Sequence, residues 1–183
     1  AGTPTPKLYN PNLKLTLKET AMAIGTGDPL PDAKLVKMGA GGPEVVDLNA
    51  LGAGKRFAIF ALPGAFSSTC STAHVPSFIR TIDQFKAKGV DEIFCISVND
   101  VFVMKEWGVQ TGATEAGIHM LADVDGSFTK KMGRDFTAIP LGFINRSERY
   151  AMIVEDGKIT TFHEEVGKGI CDLTGGEALL EEV

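Results

Sequence analysis

Cysteine is the residue type in this sequence best suited to covalent chemistry, and the chain has three: Cys70, Cys95 and Cys171. They lie too far apart for a CxxC pair or a zinc knuckle, and three thiols cannot close a disulfide framework. Each is therefore weighed by its own surroundings. Cys70 ends the segment Pro63-Gly-Ala-Phe-Ser67-Ser-Thr-Cys70, which follows the apolar run RFAIFAL (56–62) and opens a helical stretch. A cysteine at a helix start meets unpaired backbone N–H groups and the positive end of the helix dipole, and both favour thiolate over thiol. The thiolate is the nucleophilic form. Most free cysteines are small buried hydrophobes, but the polar, Gly- and Pro-containing loop around Cys70 sets it apart. Cys95 lies inside IFCISV (93–98) and is expected to be buried and inert, whereas Cys171 sits in the Gly-rich stretch 167–176 and is expected to be exposed.

The other groups carry weaker signals. His74 follows Cys70 at i+4, one helical turn on, and reads as a packing or capping residue. His119 and His163 fall in no pattern. Arg149, taken alone, reads as a surface ion-pair partner. Trp107 shares an apolar helical stretch with Phe102 and Met104 and is assigned to packing. No GxSxG elbow supports a serine hydrolase. A dithiol reductase would need a second cysteine where Ala73 stands.

The elements that must position Cys70 alternate along the chain. Strands are predicted at 33–38, 56–62, 93–98 and 119–122. A helix is predicted from about Cys70, interrupted at Pro76 and resuming over 77–88, with Phe78, Ile82 and Phe85 on one face. Asn99 or Asp100 caps a helix to about Gln110. Asp125-Gly126 leads into a short helix, 127–132. Strands at 149–155 and 158–162 are joined by Asp156-Gly157, a dipeptide suited to a tight hairpin. A last helix is predicted over 175–182. This order implies a layered α/β sheet with mixed strand directions. The organisation expected is an N-terminal extension, 1–26, and one domain, 27–183. Residues 1–18 hold three lysines and no acid, which suits either an ordinary extension or the remnant of a transit segment.

The 183 residues carry a net charge of −5, with 44% apolar and 22% charged residues. No basic stripe marks a nucleic-acid surface, where phosphate contacts would dominate affinity. No apolar run approaches the roughly 20 residues that span a bilayer. Neither nucleic acid nor membrane is expected as a partner. The wide cysteine spacing fits a reducing compartment.

Pro63-xxx-Ser67-xx-Cys70 resembles the peroxiredoxin signature Pro-xxx-Thr/Ser-xx-Cys. The longer string LPGAFSSTCSTAHVPSF (62–78) resembles the type II, peroxiredoxin-5-like subfamily. CISVNDVFVMKEW (95–107), the segment 119–133 and RYAMIVEDG (149–157) resemble further segments of that subfamily, in the same order. The resemblance runs from about Gly27 to the C-terminus. The sequence departs from the subfamily at Ser67, where Thr is usual, and at Ser68, where Pro is usual. The segment 135–147 has no clear counterpart.

The resemblance implies a thioredoxin-like fold with a mixed central β-sheet flanked by helices. It implies a thiol peroxidase reducing hydrogen peroxide and alkyl hydroperoxides, with no cofactor. Cys70 would be the peroxidatic nucleophile, passing through a sulfenic acid. Ser67 would hydrogen-bond the peroxide and the sulfur, Arg149 would stabilise the thiolate and the leaving oxygen, and Pro63 would shield the site. Resolution is open among Cys171, Cys95 and an external thiol such as glutathione, glutaredoxin or thioredoxin, with the external route favoured. A homodimer is expected. So is a cytoplasmic location, or a mitochondrion or plastid if the N-terminal arm is a transit remnant. A redox-signalling or chaperone module on the same fold is the alternative.

Overall fold

The computed structural model describes residues 23–183, so residues 1–22 of the expected extension lie outside the described residues. Ile24 is already attached to the body, its N–H donating to the Met132 carbonyl at 3.1 Å. The strands are β1 (Lys34–Gly39), β2 (Gly42–Asp47), β3 (Arg56–Ala61), β4 (Glu92–Ser97), β5 (His119–Ala122), β6 (Asp135–Ala138), β7 (Phe143–Ser147), β8 (Tyr150–Glu155) and β9 (Lys158–Glu164). The helices are α1 (Leu48–Leu51), α2 (Val75–Ala87), α3 (Val101–Thr111), α4 (Ala113–Ala116), α5 (Ser127–Lys131) and α6 (Gly176–Leu180).

Seven strands form one sheet in the order β2-β1-β5-β4-β3-β8-β9. β3, β4 and β5 are mutually parallel, joined by helical crossovers, while β8 runs antiparallel to β3 and β9 antiparallel to β8. This is the mixed, helix-flanked sheet expected from the sequence. Side chains alternate across each strand, which produces two cores. Ala58, Phe60, Cys95, Ala151 and Ile153 face α2, α3, α4 and α6. Phe57, Ile59, Phe94, Tyr150 and Met152 face the layer of α1 and α5. Asp100 is the α3 cap, accepting from Phe102 N and Val103 N, both at 2.9 Å.

Three features differ from expectation. The helix after Cys70 is not interrupted at Pro76. Cys70–His74 form a π-helical turn that runs directly into α2, with Val75 N–H donating to the Cys70 carbonyl. Proline has no N–H to give the carbonyl four residues back, and the widened turn absorbs that missing bond. The second difference is β2, an edge strand too exposed and too polar to show apolar alternation. The third is the segment 135–147, which forms a separate two-stranded hairpin, β6–β7, closed through a short 3-10 turn at Ile139–Leu141.

Candidate active site

β3 ends against Pro63, and the chain then turns through Ala65 and Phe66 into the π-helical turn that carries Cys70. Phe66 takes φ +63, a conformation costly for a bulky side chain, of the kind found where surrounding contacts hold a loop. Those contacts are visible. Asn99 Oδ1, at the end of β4, accepts from Ala65 N at 3.0 Å and from Ser97 Oγ at 2.6 Å. Ser67 Oγ donates to the Gly64 carbonyl at 2.7 Å, and Ser71 N–H donates to the Ser67 carbonyl at 3.0 Å. Trp107 of α3 donates from Nε1 to Ser71 Oγ at 3.0 Å, directly beside Cys70.

Cys70 is almost fully buried, at 1% exposure. Arg149, immediately before β8, reaches it from 79 residues away: Nη2 donates to Cys70 Sγ at 3.3 Å. The same guanidinium donates from Nη1 to His74 Nδ1 at 2.9 Å. His74 Nε2 lies 2.9 Å from the Thr174 carbonyl. A carbonyl only accepts, so Nε2 carries the proton and Nδ1 is the free acceptor facing Arg149. Burial, and then the Arg149 charge, lower the His74 pKa to about 3. The imidazole is therefore neutral in the folded protein, as a ring facing a guanidinium must be. Thr174 is held in turn by Glu165, whose Oε1 accepts from Thr174 N at 2.9 Å and from Thr174 Oγ1 at 2.8 Å.

Pro63, Ser67 and Arg149 line one cleft of about 660 Å³, together with Phe136, Leu141 and Phe143. Four sequence-selected residues thus converge, since Cys70 joins this cleft through Arg149. Ser67 differs in one detail. Its hydroxyl proton is directed at the Gly64 carbonyl, and the hydrogen bond to the Cys70 sulfur comes from Arg149. Two residues have a place at the site that differs from their sequence reading, His74 as packing and Asn99 as a helix cap. His74 is the support of Arg149, and its only sequence signal was the i+4 spacing from Cys70. Asn99 ties the loop to β4, and its signal was its place at a strand end, where open α/β sheets build sites.

The other thiols differ from Cys70. Cys95 is fully buried on β4 and faces the same core as Cys70; burial, and then the neighbouring Cys70 sulfur, push its thiol pKa well up. Cys171 is half-buried rather than exposed, with Sγ 3.8 Å from Thr174 Oγ1, and burial pushes its thiol up as well. Among the described residues all three cysteines are free.

A profile of the Redoxin family matches residues 25–180. Peroxiredoxin-2C of Oryza sativa subsp. japonica is 39% identical over 159 residues, covering 86% of this chain and 97% of that protein. The chain belongs to the peroxiredoxin family, in its type II branch. Two organellar peroxiredoxins of Arabidopsis thaliana also match. The chloroplastic peroxiredoxin-2E is 40% identical over 79% of this chain, and the mitochondrial peroxiredoxin-2F is 43% identical over 71%. The chain spans 63% and 64% of their lengths, respectively. Among solved peroxiredoxins, reduced Prx3 of Vibrio vulnificus in complex with hydrogen peroxide superposes with a TM-score of 0.81 at 43% identity, covering 87% of this chain and 98% of that one. Peroxiredoxin 5 of Alvinella pompejana superposes with a TM-score of 0.75 at 33% identity, covering 86% and 96%.

Proposed function

We propose that this peroxiredoxin is a thiol peroxidase that reduces hydrogen peroxide and alkyl hydroperoxides through Cys70. The observation that carries the reading is the Arg149 guanidinium, buried beside the cleft with one N–H on the Cys70 sulfur. Cys70, as thiolate, attacks the terminal oxygen of ROOH. Sulfur supplies the electron pair of the new S–O bond, the O–O bond breaks, the attacked oxygen keeps its hydrogen as the sulfenic acid O–H, and RO⁻ leaves and takes a proton from solvent to become alcohol, or water from hydrogen peroxide. Sulfur is oxidised by two electrons to the sulfenic acid, and the peroxide is reduced by two. Arg149, a cation with several fixed donors, opposes the negative charge that moves from sulfur to the leaving oxygen. Ser67 Oγ, with its own proton committed to Gly64, is set to accept the hydrogen of the incoming peroxide. Pro63 offers no N–H and keeps that side of the cleft free of a competing donor.

The sulfenic acid is resolved by an external thiol, through glutathione with glutaredoxin or through thioredoxin. The first thiol displaces water to form a mixed disulfide, and the second cleaves it. The support is that neither internal thiol is ready: Cys95 is locked in a central strand and Cys171 is half-buried, and both are shifted away from the thiolate. We place the protein as a homodimer in the cytoplasm, or in a plastid or mitochondrion if residues 1–26 derive from a transit segment.

Peroxide consumption in the presence of dithiothreitol, wild type against Cys70→Ser, tests the first step; normal turnover by the variant overturns it. Turnover with glutathione plus glutaredoxin, and separately with thioredoxin, tests the second. A Cys171→Ser or Cys95→Ser protein that oxidises once and then stalls, while wild type cycles, identifies that cysteine as the resolver instead. Light scattering on an eluting peak reads the assembly.

A further inference from the structure

One wall of the cleft belongs to a piece of chain that stands off the main sheet. β6 and β7 pair with each other in a two-stranded sheet of their own, and from it come Phe136, Leu141 and Phe143. The loop carrying Pro63 and Ser67 lines the same cleft. The width of the cleft therefore depends on how the hairpin is fastened to that loop.

Arg146 of β7 is the fastening. Its Nη1 donates to the Pro63 carbonyl at 3.3 Å, and its guanidinium lies over the Phe143 ring, 5.2 Å from the centroid. The loop is shaped to receive it. A side chain at Gly64 would place its Cβ 2.8 Å from Arg146 Nη1 and 3.5 Å from Phe143 Cε1, so the absence of a side chain at 64 is what lets the guanidinium lie against the loop. Partial burial pulls the Arg146 pKa down, as expected for a guanidinium taken from water into this seam. Arg146 is not among the residues that line the cleft. It stands behind two residues that are, Pro63 and Phe143, and joins them.

We infer that Arg146 is a positioning residue that fixes the spacing between the hairpin wall and the peroxidatic loop, and so sets how well the site accepts a hydroperoxide bearing a bulky apolar group. Hydrogen peroxide needs only Cys70, Arg149 and Ser67. The organic part of a larger substrate also fills the space against Phe136, Leu141 and Phe143. Loosening the fastening costs both substrates some of the loop's order, and costs the bulky one its wall as well. The inference rests on the peroxidase reading and deepens it.

The test uses wild type, Arg146→Met, Arg146→Lys and Gly64→Ala. Methionine keeps an apolar stem on Phe143 and removes the donor. Lysine restores a donor without the planar fork. The Gly64→Ala methyl displaces the guanidinium, the movable end of a long side chain, without altering Arg146 itself. The rate constant for Cys70 oxidation is read by stopped-flow fluorescence of Trp107, with hydrogen peroxide and separately with cumene hydroperoxide; thermal midpoints are recorded for all four proteins. Arg146→Met and Gly64→Ala should slow both reactions, and the ratio of the cumene hydroperoxide to the hydrogen peroxide rate constant should fall at least fivefold. Arg146→Lys should recover part of that ratio. A purely structural arginine would lower the thermal midpoint and leave the ratio at the wild-type value, and that result overturns the inference. So does an equal loss with both peroxides. A wild type that fails to oxidise Cys70 with either peroxide overturns the peroxidase reading and this inference together.

Discussion

The buried His74 makes the stability of the protein depend on pH in a calculable way. Its folded pKa is about 3, against 6.5 for an unperturbed imidazole. Between those values the unfolded chain binds a proton that the folded protein refuses, so folding is penalised as pH falls. The stability tied to the neutral ring is fully present above 6.5 and is lost as pH drops toward 3. One proton of difference is worth about 1.4 kcal/mol per pH unit, and integrating both titrations gives roughly 2.5 kcal/mol lost between pH 6 and pH 4. The surroundings explain the refusal. Arg149 faces Nδ1, the Thr174 carbonyl takes Nε2, the Phe60 and Phe78 rings lie 5.0 and 5.8 Å away, and Cys70 and Glu165 stand one contact further out. A second proton would set cation against cation in an apolar shell. The assay is urea unfolding of wild type and His74→Gln at pH 7, 6, 5 and 4. Carboxylates titrate alike in both proteins, so the difference isolates residue 74. The wild type should lose roughly 2.5 kcal/mol more than the variant from pH 6 to pH 4. Parallel curves for the two proteins would refute both the buried neutral ring and its pairing with Arg149.

Other expectations are simpler to state. In single-turnover oxidation by hydrogen peroxide, Cys70→Ser should show no reaction, while Cys95→Ser and Cys171→Ser should oxidise at close to the wild-type rate. Arg149→Lys should slow that step by roughly 10² to 10³, the effect of losing one charge-stabilising donor, because one ammonium cannot reproduce the planar fork shared between His74 Nδ1 and Cys70 Sγ; wild-type kinetics in the stopped flow would contradict this. Gly176→Ala should destabilise the protein by about 1–3 kcal/mol in urea, since the added carbon would strike Thr81 Oγ1 and the Ser77 carbonyl where α6 sits on α2. Cys95 should stay unlabelled by iodoacetamide in the native protein and become labelled in urea, read by mass spectrometry.

The sequence disclosed the centre of the fold and the loop that carries Cys70 because both are written locally. β3 and β4 are uninterrupted apolar runs, and the Pro63–Cys70 segment holds a turn, a cap region and a thiol in eight consecutive residues. β2 was missed because an exposed edge strand need not alternate. β6 and β7 were missed because short strands with a bulge carry little periodicity. Pro76 reads as a break because proline breaks a regular α-helix; a π-helical turn beside it is a tertiary solution that no local pattern announces. His74 reads as packing for a deeper reason. Its two partners are Arg149 and Thr174, 75 and 100 residues away, and only the folded chain brings them to one ring. Arg149 was likewise mute until the family resemblance singled it out.

The anchoring of Arg149 bears on speed. An arginine side chain carries about 2 kcal/mol of rotamer entropy. Here that freedom is lost on folding, because Tyr150 is sunk in the opposite core while the guanidinium is clamped between His74 and Cys70. A substrate of a few atoms makes too few contacts to organise a site by binding to it. A pre-organised site needs no such help: on the proposed peroxidase reading, the cation and the sulfur are already in place before a peroxide arrives. The barrier left to the proposed reaction is then chiefly one of approach and alignment, and such a reaction can be fast without the site ever holding its substrate tightly.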